Sequence, residues 1–397
     1  MTTAGIESSR TWHVITGEYP PQPGGVSDYV YLVAKGLAAA HDEVHVWCPN
    51  YTEPSPELAG VSVHRALGQF SPGDLRDAGQ QLDRFPAPRR LFVQWVPHGY
   101  GYKSLNVSFC LWLWDRARRG DYVDLMVHEP YLPFKRDSWR QSCAAAIHRL
   151  MTVILLSSAW HVWISTPSWR ERLMPYAFGR ALGFDWLPIT SSVPPANDSA
   201  STAAIRRQYA PRGLLIGHFG TFGPPIVPLL REILTVLLQA APSVSVLLIG
   251  GGSRTFRDDF VRQFEGFRER VHALGHLDHP ALSHHISACD VLIQPYPDGV
   301  STRRTTVMAA LSHGRPVVTT SGPLTESFWE PSGAVALAPA GDTETFLRSL
   351  TPLLESPVER NRLGEAAREL YCTQFDIHHI VNRLRRHPGM DCAKNVT

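Results

Sequence analysis

Cysteine is sparse in this sequence, and no two cysteines form a CxxC pair. The chain of 397 residues has six cysteines, and Cys48, Cys110 and Cys289 lie inside apolar runs. Such positions are typical of buried free thiols. We therefore expect a reducing compartment and predict that the protein is cytoplasmic.

An apolar leader and a membrane-spanning run are also missing. The first residues, MTTAGIESSRTWH, lack the apolar core of a signal peptide. The one long apolar stretch, 150–167, is interrupted by His161. A buried helix followed by a strand explains it better than a membrane span does. We expect no transmembrane segment, although peripheral contact with a membrane stays open.

The sequence has no strong excess of either charge. Its 38 Lys and Arg residues nearly balance its 36 Asp and Glu residues, which gives a net charge of +2 with histidine neutral. The short basic runs at 116–119 and 383–386 are more typical of exposed helix faces than of binding arms. The charge balance argues against a nucleic-acid partner held by bulk electrostatics.

Both halves of the sequence contain a repeated alternation of short apolar strands, glycine turns and helices. Hydrophobic residues make up 44% of the chain, enough for a sizeable core and two or more domains. Residues 193–204 lose helical periodicity and fill with Pro, Ser and Ala, as linkers do. We predict an α/β protein with domains at 1–193 and 205–374.

The first strand of the chain, 12–16, leads into a glycine turn. Gly24 and Gly25 form this turn, and Ser27 or Asp28 is predicted to cap the helix that follows. The strand, turn, helix and next strand form a βαβ unit, and the turn could admit a phosphate or a sugar closely. A generic tight turn explains the two glycines about equally well.

Two later strand ends in the first half add candidate binding residues. The strand 92–96 precedes a loop rich in glycine and aromatic residues, including His98 and Tyr100, which is either a binding lip or packing between helices. The next strand ends at His128 and Glu129. A lone histidine is more often structural than catalytic. However, open α/β sheets bind ligands at the carboxyl edge, which favours a function here.

In the second half, four strands end in glycine turns, at Gly220, at 250–252, at Gly275 and at Gly299. The carboxyl ends of parallel strands lie on one edge of a sheet. We therefore predict a single crevice lined by backbone N–H groups. This convergence is more specific than any one of the loops.

The stretch 290–320 is the most informative part of the sequence. It is predicted as a strand, a glycine loop, a helix and a second strand, with Ser301 or Thr302 capping the helix. Arg303 and Arg304 offer forked donors suited to phosphate oxygens beside a helix N-terminus, where the dipole favours an anion. The alternative is that both arginines are solvated surface charge.

Together these motifs resemble the GT-B glycosyltransferases, in particular the retaining family 4 type. The resemblance covers nearly the whole chain, and its segments are GGV at 24–26, His128, SSVP at 191–194, FGTFG at 219–223, IGGGS at 249–253, and DGVSTRR at 298–304 running to HGRPVVTT at 313–320. It implies a GT-B fold of two facing Rossmann-like domains with an interdomain cleft. The C-terminal domain would hold a nucleotide sugar and the N-terminal domain an acceptor, with a crossover helix at about 375–397.

The resemblance also implies a donor site and a catalytic set. His128 would orient the sugar, Asp298 would bind a sugar hydroxyl, and Arg303 and Arg304 would stabilise the leaving diphosphate. The donor would contact the glycine turns, the central loop and one later acid: Gly24, Gly25, Gly220, Thr221, Gly299, Val300, Ser301, Thr302 and Glu326.

For the acceptor, the residues we assign are His98, Tyr100 and Glu129, and the acceptor itself is a small molecule or a glycan. Family 4 enzymes commonly work without a metal, and no convincing DxD cluster stands at a strand end here. We therefore expect no metal and no cofactor, with the nucleotide-diphosphate sugar as co-substrate.

Two departures from the family pattern concern charged residues. The family usually carries two glutamates spaced E-x7-E, whereas Asp298 is the only acid in this loop and Ala309 stands near the second place. The family's basic pair is also changed, since His218 and Pro224 stand at about its two positions. The two arginines of the loop would supply that charge, and Glu326 would contact the ribose.

We therefore expect a retaining glycosyltransferase that moves a sugar from a nucleotide-diphosphate donor to an acceptor hydroxyl. Two alternatives stay open. One is a sugar-nucleotide epimerase or a pseudo-glycosyltransferase on the same scaffold. The other is a catalytically inactive nucleotide-sugar-binding protein, because a fold does not fix a function.

Overall fold

The structure is a computed structural model that describes residues 9–196 and 198–387. The chain divides into two compact units, the first made of residues up to Pro188 and from Ile380 onward, the second of Ile189–His379. Each unit contains one sheet of parallel strands connected by helices.

The first unit contains a seven-stranded parallel sheet. Its strands are β1 Thr11–Ile15, β2 Glu43–Trp47, β3 Val61–His64, β4 Arg90–Trp95, β5 Tyr122–Val127, β6 Ala159–Ile164 and β7 Gly183–Trp186. They lie in the order β3-β2-β1-β4-β5-β6-β7. The helices of this part are α1 Gly25–Ala39, α2 Pro72–Leu82, α3 Val107–Arg118, α4 Trp139–Ser158 and α5 Ser168–Leu173.

The second unit contains a six-stranded parallel sheet. Its strands are β8 Leu215–Phe219, β9 Ser245–Ile249, β10 Val271–Gly275, β11 Val291–Gln294, β12 Val317–Ser321 and β13 Ala336–Pro339, in the order β10-β9-β8-β11-β12-β13. The helices are α6 Ser199–Tyr209, α7 Val227–Ala240, α8 Ser253–Gln263, α9 His279–Ala288, α10 Thr305–Ser312, α11 Trp329–Ser332, α12 Thr343–Glu355 and α13 Pro357–Leu370.

Apolar residues on the central strands form the cores. In the first sheet Val14 pairs with Val46 and with Phe92, and all three side chains are fully buried. In the second sheet Ile216 pairs with Val246 and Val291, which are also fully buried. Strands covered on both faces carry continuous apolar runs, which is why the sequence revealed these strands clearly.

The region predicted to be a linker is partly helical. Residues 193–204 were expected to be irregular, but α6 begins at Ser199 and belongs to the second unit. The Asp198 side chain caps it by accepting hydrogen bonds from the N–H groups of Ala200 and Ser201. No residue of α6 is buried, so it carries no core-facing apolar stripe that sequence periodicity could reveal.

A last helix, α14, spans Ile377–Arg386 and follows a single π-helical turn at Tyr371–Phe375. From Ile380 onward the chain is part of the first unit. The predicted crossover helix at about 375–397 overlaps α14, and its residues from 388 onward lie outside the described part.

Among the described residues, no helix combines the length and the apolarity that a bilayer crossing needs. The five described cysteines are all free thiols, and three of them are buried: Cys48, Cys110 and Cys289. Cys392 lies outside the described residues.

Candidate functional site

The second sheet has a switch in strand order at its centre. β8 pairs with β9 on one side and with β11 on the other, so the loops after β8 and β11 leave in opposite directions. Open α/β sheets bind ligands in the crevice that forms at the carboxyl end of such a switch. The loops 220–224 and 295–304 border this crevice.

Glycine turns meet at this edge of the sheet. The N–H of Gly220 donates to the Ile249 carbonyl at 3.0 Å, and the N–H of Gly250 donates to the Gly275 carbonyl at 2.8 Å. A β-carbon on Gly250 would lie 2.0 Å from the Gly220 carbonyl oxygen, so the backbones cross in a space that only glycine permits. The predicted donor residue Thr221 is exposed beside this crossing.

The central loop after β11 packs closely against the segment after β12. Gly299 has φ +84°, and a β-carbon there would lie 2.3 Å from the Gly322 nitrogen. The N–H of Val300 donates to the Thr320 carbonyl at 2.7 Å. Val300, Ser301 and Thr302 are buried, so this part of the loop packs inside the unit and is not exposed on its surface.

Glu326 anchors the same loop from inside. Its Oε1 accepts hydrogen bonds from the N–H and the hydroxyl of Thr302, at 3.1 and 2.7 Å, and its Oε2 accepts from the indole of Trp329 at 2.8 Å. Both carboxylate oxygens are therefore engaged within the protein, and the side chain is nearly buried. The predicted ribose contact of Glu326 would have to compete with these bonds.

The same bonds explain why the predicted helix cap is wrong. Ser301 or Thr302 was expected to cap the helix, but α10 begins at Thr305 with Arg304 at its N-cap position. Thr302 turns its hydroxyl to Glu326 instead, which keeps residues 300–304 in a loop.

Arg303 and Arg304 both pair with Asp298. The Arg303 guanidinium donates to Oδ2 of Asp298 at 2.7 Å, and Arg304 donates to Oδ1. Arg304 also lies over the ring of Tyr296, 4.3 Å from its centroid. One carboxylate against two guanidinium groups leaves one net positive charge, and all three side chains are only partly exposed.

These arginines stand at the N-terminus of α10. No side chain caps that end in the described part of the chain, so its first N–H groups can bind an anion. Thr306, in the first turn, lies near Gly220, since a β-carbon on that glycine would be 3.6 Å from the threonine methyl. The hydroxyl of Thr306 bonds to the Tyr296 hydroxyl at 2.6 Å, which ties the helix to the loop.

His218, at the end of β8, is a buried and neutral side chain. Its Nδ1 lies 2.9 Å from the Ile293 carbonyl and donates to it. Burial lowers the pKa of His218 to about 4. It therefore carries no charge at neutral pH and cannot replace a phosphate-binding arginine.

The buried Nε2 of His218 and the buried Ser301 hydroxyl lack a hydrogen-bond partner among the residues that the structure describes. Buried polar groups normally find a hydrogen-bond partner, and a partnerless one calls for a specific explanation. Ser301 was predicted from its place in the loop. His218 was noted only as a substituted basic residue, and nothing in the sequence indicated its burial.

His128, at the end of β5 in the first unit, is also buried and neutral. Burial lowers its pKa to about 3, and its Nε2 lies 3.0 Å from the Gln94 side-chain oxygen. The ring packs edge-on against Tyr29, with centroids 5.1 Å apart. With Nε2 engaged, only Nδ1 of His128 could serve the sugar contact that we predicted.

After the glycine turn that follows β1, the N-terminus of α1 is already capped by the Glu18 side chain. Glu18 accepts hydrogen bonds from the N–H groups of Val26 and Ser27, both at 3.0 Å. The prediction that Ser27 or Asp28 caps α1 is therefore wrong, and the cap comes from an upstream carboxylate. A β-carbon on Gly24 would lie 2.2 Å from this carboxylate, whereas Gly25 has open space around it.

The three residues predicted to bind an acceptor have different surroundings. His98 and Glu129 are exposed. Tyr100 is fully buried, donates its hydroxyl to the Gln94 carbonyl at 2.5 Å and stacks on Phe109 with centroids 4.1 Å apart. Tyr100 is a core residue, so its side chain is not accessible to an acceptor.

Comparison with known proteins agrees with this geometry. Residues 214–356 match the family model described as "Glycosyl transferases group 1". No curated protein sequence matches the chain.

Solved structures share the fold over nearly the whole chain. Sucrose-phosphate synthase from Thermosynechococcus elongatus is 18% identical with a TM-score of 0.73, and the match covers 95% of this chain and 97% of that one. Anabaena HepE in complex with UDP is 15% identical with a TM-score of 0.65, covering 95% and 98%. WaaG, a glycosyltransferase involved in lipopolysaccharide biosynthesis, is 15% identical with a TM-score of 0.68, covering 95% and 100%.

The predicted GT-B class is confirmed by these structures and by the two parallel sheets. The match of residues 214–356 to the group 1 glycosyltransferase model confirms the predicted resemblance and the predicted enzyme class.

Proposed function

We propose that this protein is a retaining glycosyltransferase of family 4 type that transfers a sugar from a nucleotide-diphosphate donor to an acceptor hydroxyl. The observation that carries the proposal is the placement of Arg303 and Arg304, joined by Asp298, at the uncapped N-terminus of α10. This is an arrangement suited to a diphosphate, and it lies within the matched glycosyltransferase domain.

Departure of the nucleoside diphosphate builds negative charge on its oxygens. The guanidinium groups of Arg303 and Arg304 and the first N–H groups of α10 would stabilise that charge electrostatically. The neutral His218 contributes no charge, so the two arginines are the cations of this loop. In the proposed mechanism the acceptor hydroxyl gives its proton to the departing phosphate, and no protein nucleophile takes part.

The turns after β8 and β9 cross at Gly220 and Gly250. Glycine at this crossing would let the backbone approach a bound phosphate closely. The approach of Gly220 to Gly250 leaves no room for a side chain. The Ser301 hydroxyl, which is buried and has no partner in the described residues, would donate to the donor.

Uridine is the base to test first. The HepE structures hold UDP, UDP with glucose, or UDP-glucose. Those ligands belong to a protein 15 to 16% identical to this chain. The acceptor we propose is a small molecule or a glycan rather than a nucleic acid. The five free thiols support a cytoplasmic location.

The test is a thermal-shift series of the full chain with UDP-, GDP-, ADP- and dTDP-glucose, followed by transfer assays with the sugar that binds. A bound donor raises the unfolding midpoint by mass action. Proton NMR of the product should show the anomeric configuration of the donor. Inversion at the anomeric carbon would contradict the retaining mechanism, and persistence of transfer in a chelator would support metal-independent chemistry.

A second candidate is a nucleotide-sugar-binding protein without activity. It is favoured by Ala309, which is buried in α10 and stands near the second glutamate of the family pattern. It is also favoured by Asp298, whose two oxygens are held by arginines. Donor binding without hydrolysis or transfer across a broad acceptor panel would decide for this candidate. Donor conversion without any acceptor would instead indicate an epimerase.

A further inference from the structure

Two histidines and an aspartate meet at one edge of the first sheet. Nε2 of His161 on β6 lies 3.2 Å from Oδ2 of Asp185 on β7, and Nε2 of His387, just after α14, lies 3.9 Å from the same oxygen. One ligand atom from each residue falls within 4.8 Å of the others. We propose that His161, Asp185 and His387 bind a divalent transition-metal ion of the zinc class. This zinc-class site is separate from the proposed transferase chemistry and does not depend on it.

The donor set and the spacing fit such an ion. Imidazole nitrogens and a carboxylate oxygen bind zinc with bonds of about 2.0–2.2 Å, which places neighbouring ligand atoms about 3.3 Å apart in a tetrahedron. The 3.2 Å separation between His161 and Asp185 matches this value, and the 3.9 Å separation between His387 and Asp185 is longer than it. Two nitrogen ligands favour zinc, copper or nickel over magnesium and calcium, which prefer oxygen.

His161 is held in place before any metal binds. Its side chain is 5% exposed, and the Trp163 ring packs edge-on against it with centroids 4.7 Å apart. A β-carbon on Gly183 would lie 2.8 Å from Nδ1 of His161, so this glycine leaves room for the imidazole. A side chain fixed by packing loses little entropy when it becomes a ligand.

The ligand atoms are available to a cation. Among the described residues, no well-aligned hydrogen bond reaches the buried Nε2 of His161. Neutral imidazole is the form that binds metals, and an unperturbed imidazole is mostly neutral at pH 7.

Charges around the three residues limit the expected affinity. Arg90 and Asp124 form a buried ion pair of 2.6 Å that acts on His161, and Arg383 interacts with Asp185. Two carboxylates against two guanidinium groups give no net negative charge to attract a dication. We expect binding weaker than at a structural zinc site with four protein ligands.

Metal binding at this place would connect the end of α14 to strands β6 and β7. Because the three ligands come together only in the folded unit, the ion binds the native state and stabilises it by mass action. The expected sign is a rise of the unfolding midpoint with zinc concentration.

The test uses the full chain without an affinity tag, freed of metal by a chelator. Calorimetric titration with zinc chloride should show about one equivalent bound, and cobalt should produce visible absorption bands of a tetrahedral site. The variants His387→Ala and Asp185→Asn should each weaken zinc binding by at least about tenfold and remove the thermal shift. Both side chains are partly exposed, so these variants should fold.

A matched control is His378→Ala. His378 lies on α14 and bonds Asp376 at 2.7 Å, and neither residue belongs to the cluster of His161, Asp185 and His387. Zinc binding should be unchanged in this variant. Absence of stoichiometric binding to the unaltered chain, or equal affinity in the unaltered chain and both ligand variants, would overturn the proposal.

Discussion

The Glu326 carboxylate accepts a hydrogen bond of 2.7 Å from the Thr302 hydroxyl and another of 3.1 Å from the Thr302 N–H. Its second oxygen accepts from the Trp329 indole at 2.8 Å. One carboxylate thus fixes the central loop of the candidate site to the segment that follows β12. The shape of the loop depends on this acid, which lies more than twenty residues further along the chain.

Glu326→Ala should destabilise the second unit by about 2–4 kcal/mol, because it leaves buried donors of Thr302 and Trp329 without their acceptor. Urea unfolding measures the loss. The control is Glu344→Ala, which removes an exposed pair with Arg348 and should cost less than about 1 kcal/mol. If Glu326→Ala weakened donor binding while stability stayed unchanged, the predicted ribose contact would be favoured over the anchoring role.

Gly299→Ala should destabilise the same unit by more than about 2 kcal/mol. The residue has φ +84°, and the added β-carbon would meet the Thr325 hydroxyl at 2.2 Å. Gly333→Ala is the comparison, since Gly333 has φ +60° but open space around its missing side chain. That variant isolates the backbone cost, about 1 kcal/mol. Equal losses in the two variants would show that the close packing of the loop contributes nothing.

Replacing both Arg303 and Arg304 by alanine should lower kcat/KM by an amount equivalent to several kcal/mol of transition-state stabilisation. The matched control replaces Arg262 and Arg348, which are exposed and lie on other helices. Steady-state kinetics on the active donor provide the measurement. Unchanged turnover in the first variant would refute the role of the two arginines.

Asp298→Asn should raise the affinity for free nucleoside diphosphate several-fold while lowering turnover. The change removes the negative charge that both arginines now pair with, and a phosphate can then take its place. Calorimetric titration and steady-state kinetics separate the two effects. If affinity fell together with turnover, Asp298 would instead be needed to position the arginines.

His218 should make the stability of the second unit depend on pH. Burial lowers its pKa from 6.5 to about 4, so between these values the unfolded chain binds the proton and the folded chain does not. The free energy of unfolding is therefore highest above pH 6.5. It decreases by about 3 kcal/mol in all as the pH falls towards 4.

Urea unfolding at pH 7 and pH 5 tests this effect. His218→Asn keeps a donor for the Ile293 carbonyl and should reduce the loss between the two pH values. His378→Asn, at an exposed histidine, is the control and should leave the loss as it is in the unaltered chain. A pH dependence that His218→Asn does not change would exclude His218 as its source.

The sequence predicted central strands well and edge strands poorly. The strands β3, β7 and β13, which were not predicted, each have four residues and lie at the ends of their sheets. An edge strand has a neighbour on one side only and tolerates mixed, half-exposed residues. Its apolar pattern is therefore too weak to recognise.

Within the candidate site, sequence reasoning found the glycine turns and the two arginines, because turn chemistry and charge are local properties. It did not find the Glu18 cap of α1 or the anchoring role of Glu326. Glu18 lies seven residues before α1, and Glu326 lies on another segment from the loop that it anchors. Tyr100 was predicted at a surface and is buried among aromatic rings, since nothing in the loop composition specifies what packs over it.

The sequence by itself determined the alternation of strands and helices, the positions of the tight turns and the kind of charge beside them. These follow from backbone preferences and from the periodicity of apolar residues, which act over a few residues. Only the tertiary structure decided which polar groups are engaged inside the protein. Whether Glu326, His128 or His161 meets a partner or a ligand depends on distant segments that come together on folding, and burial then sets the charge of each histidine.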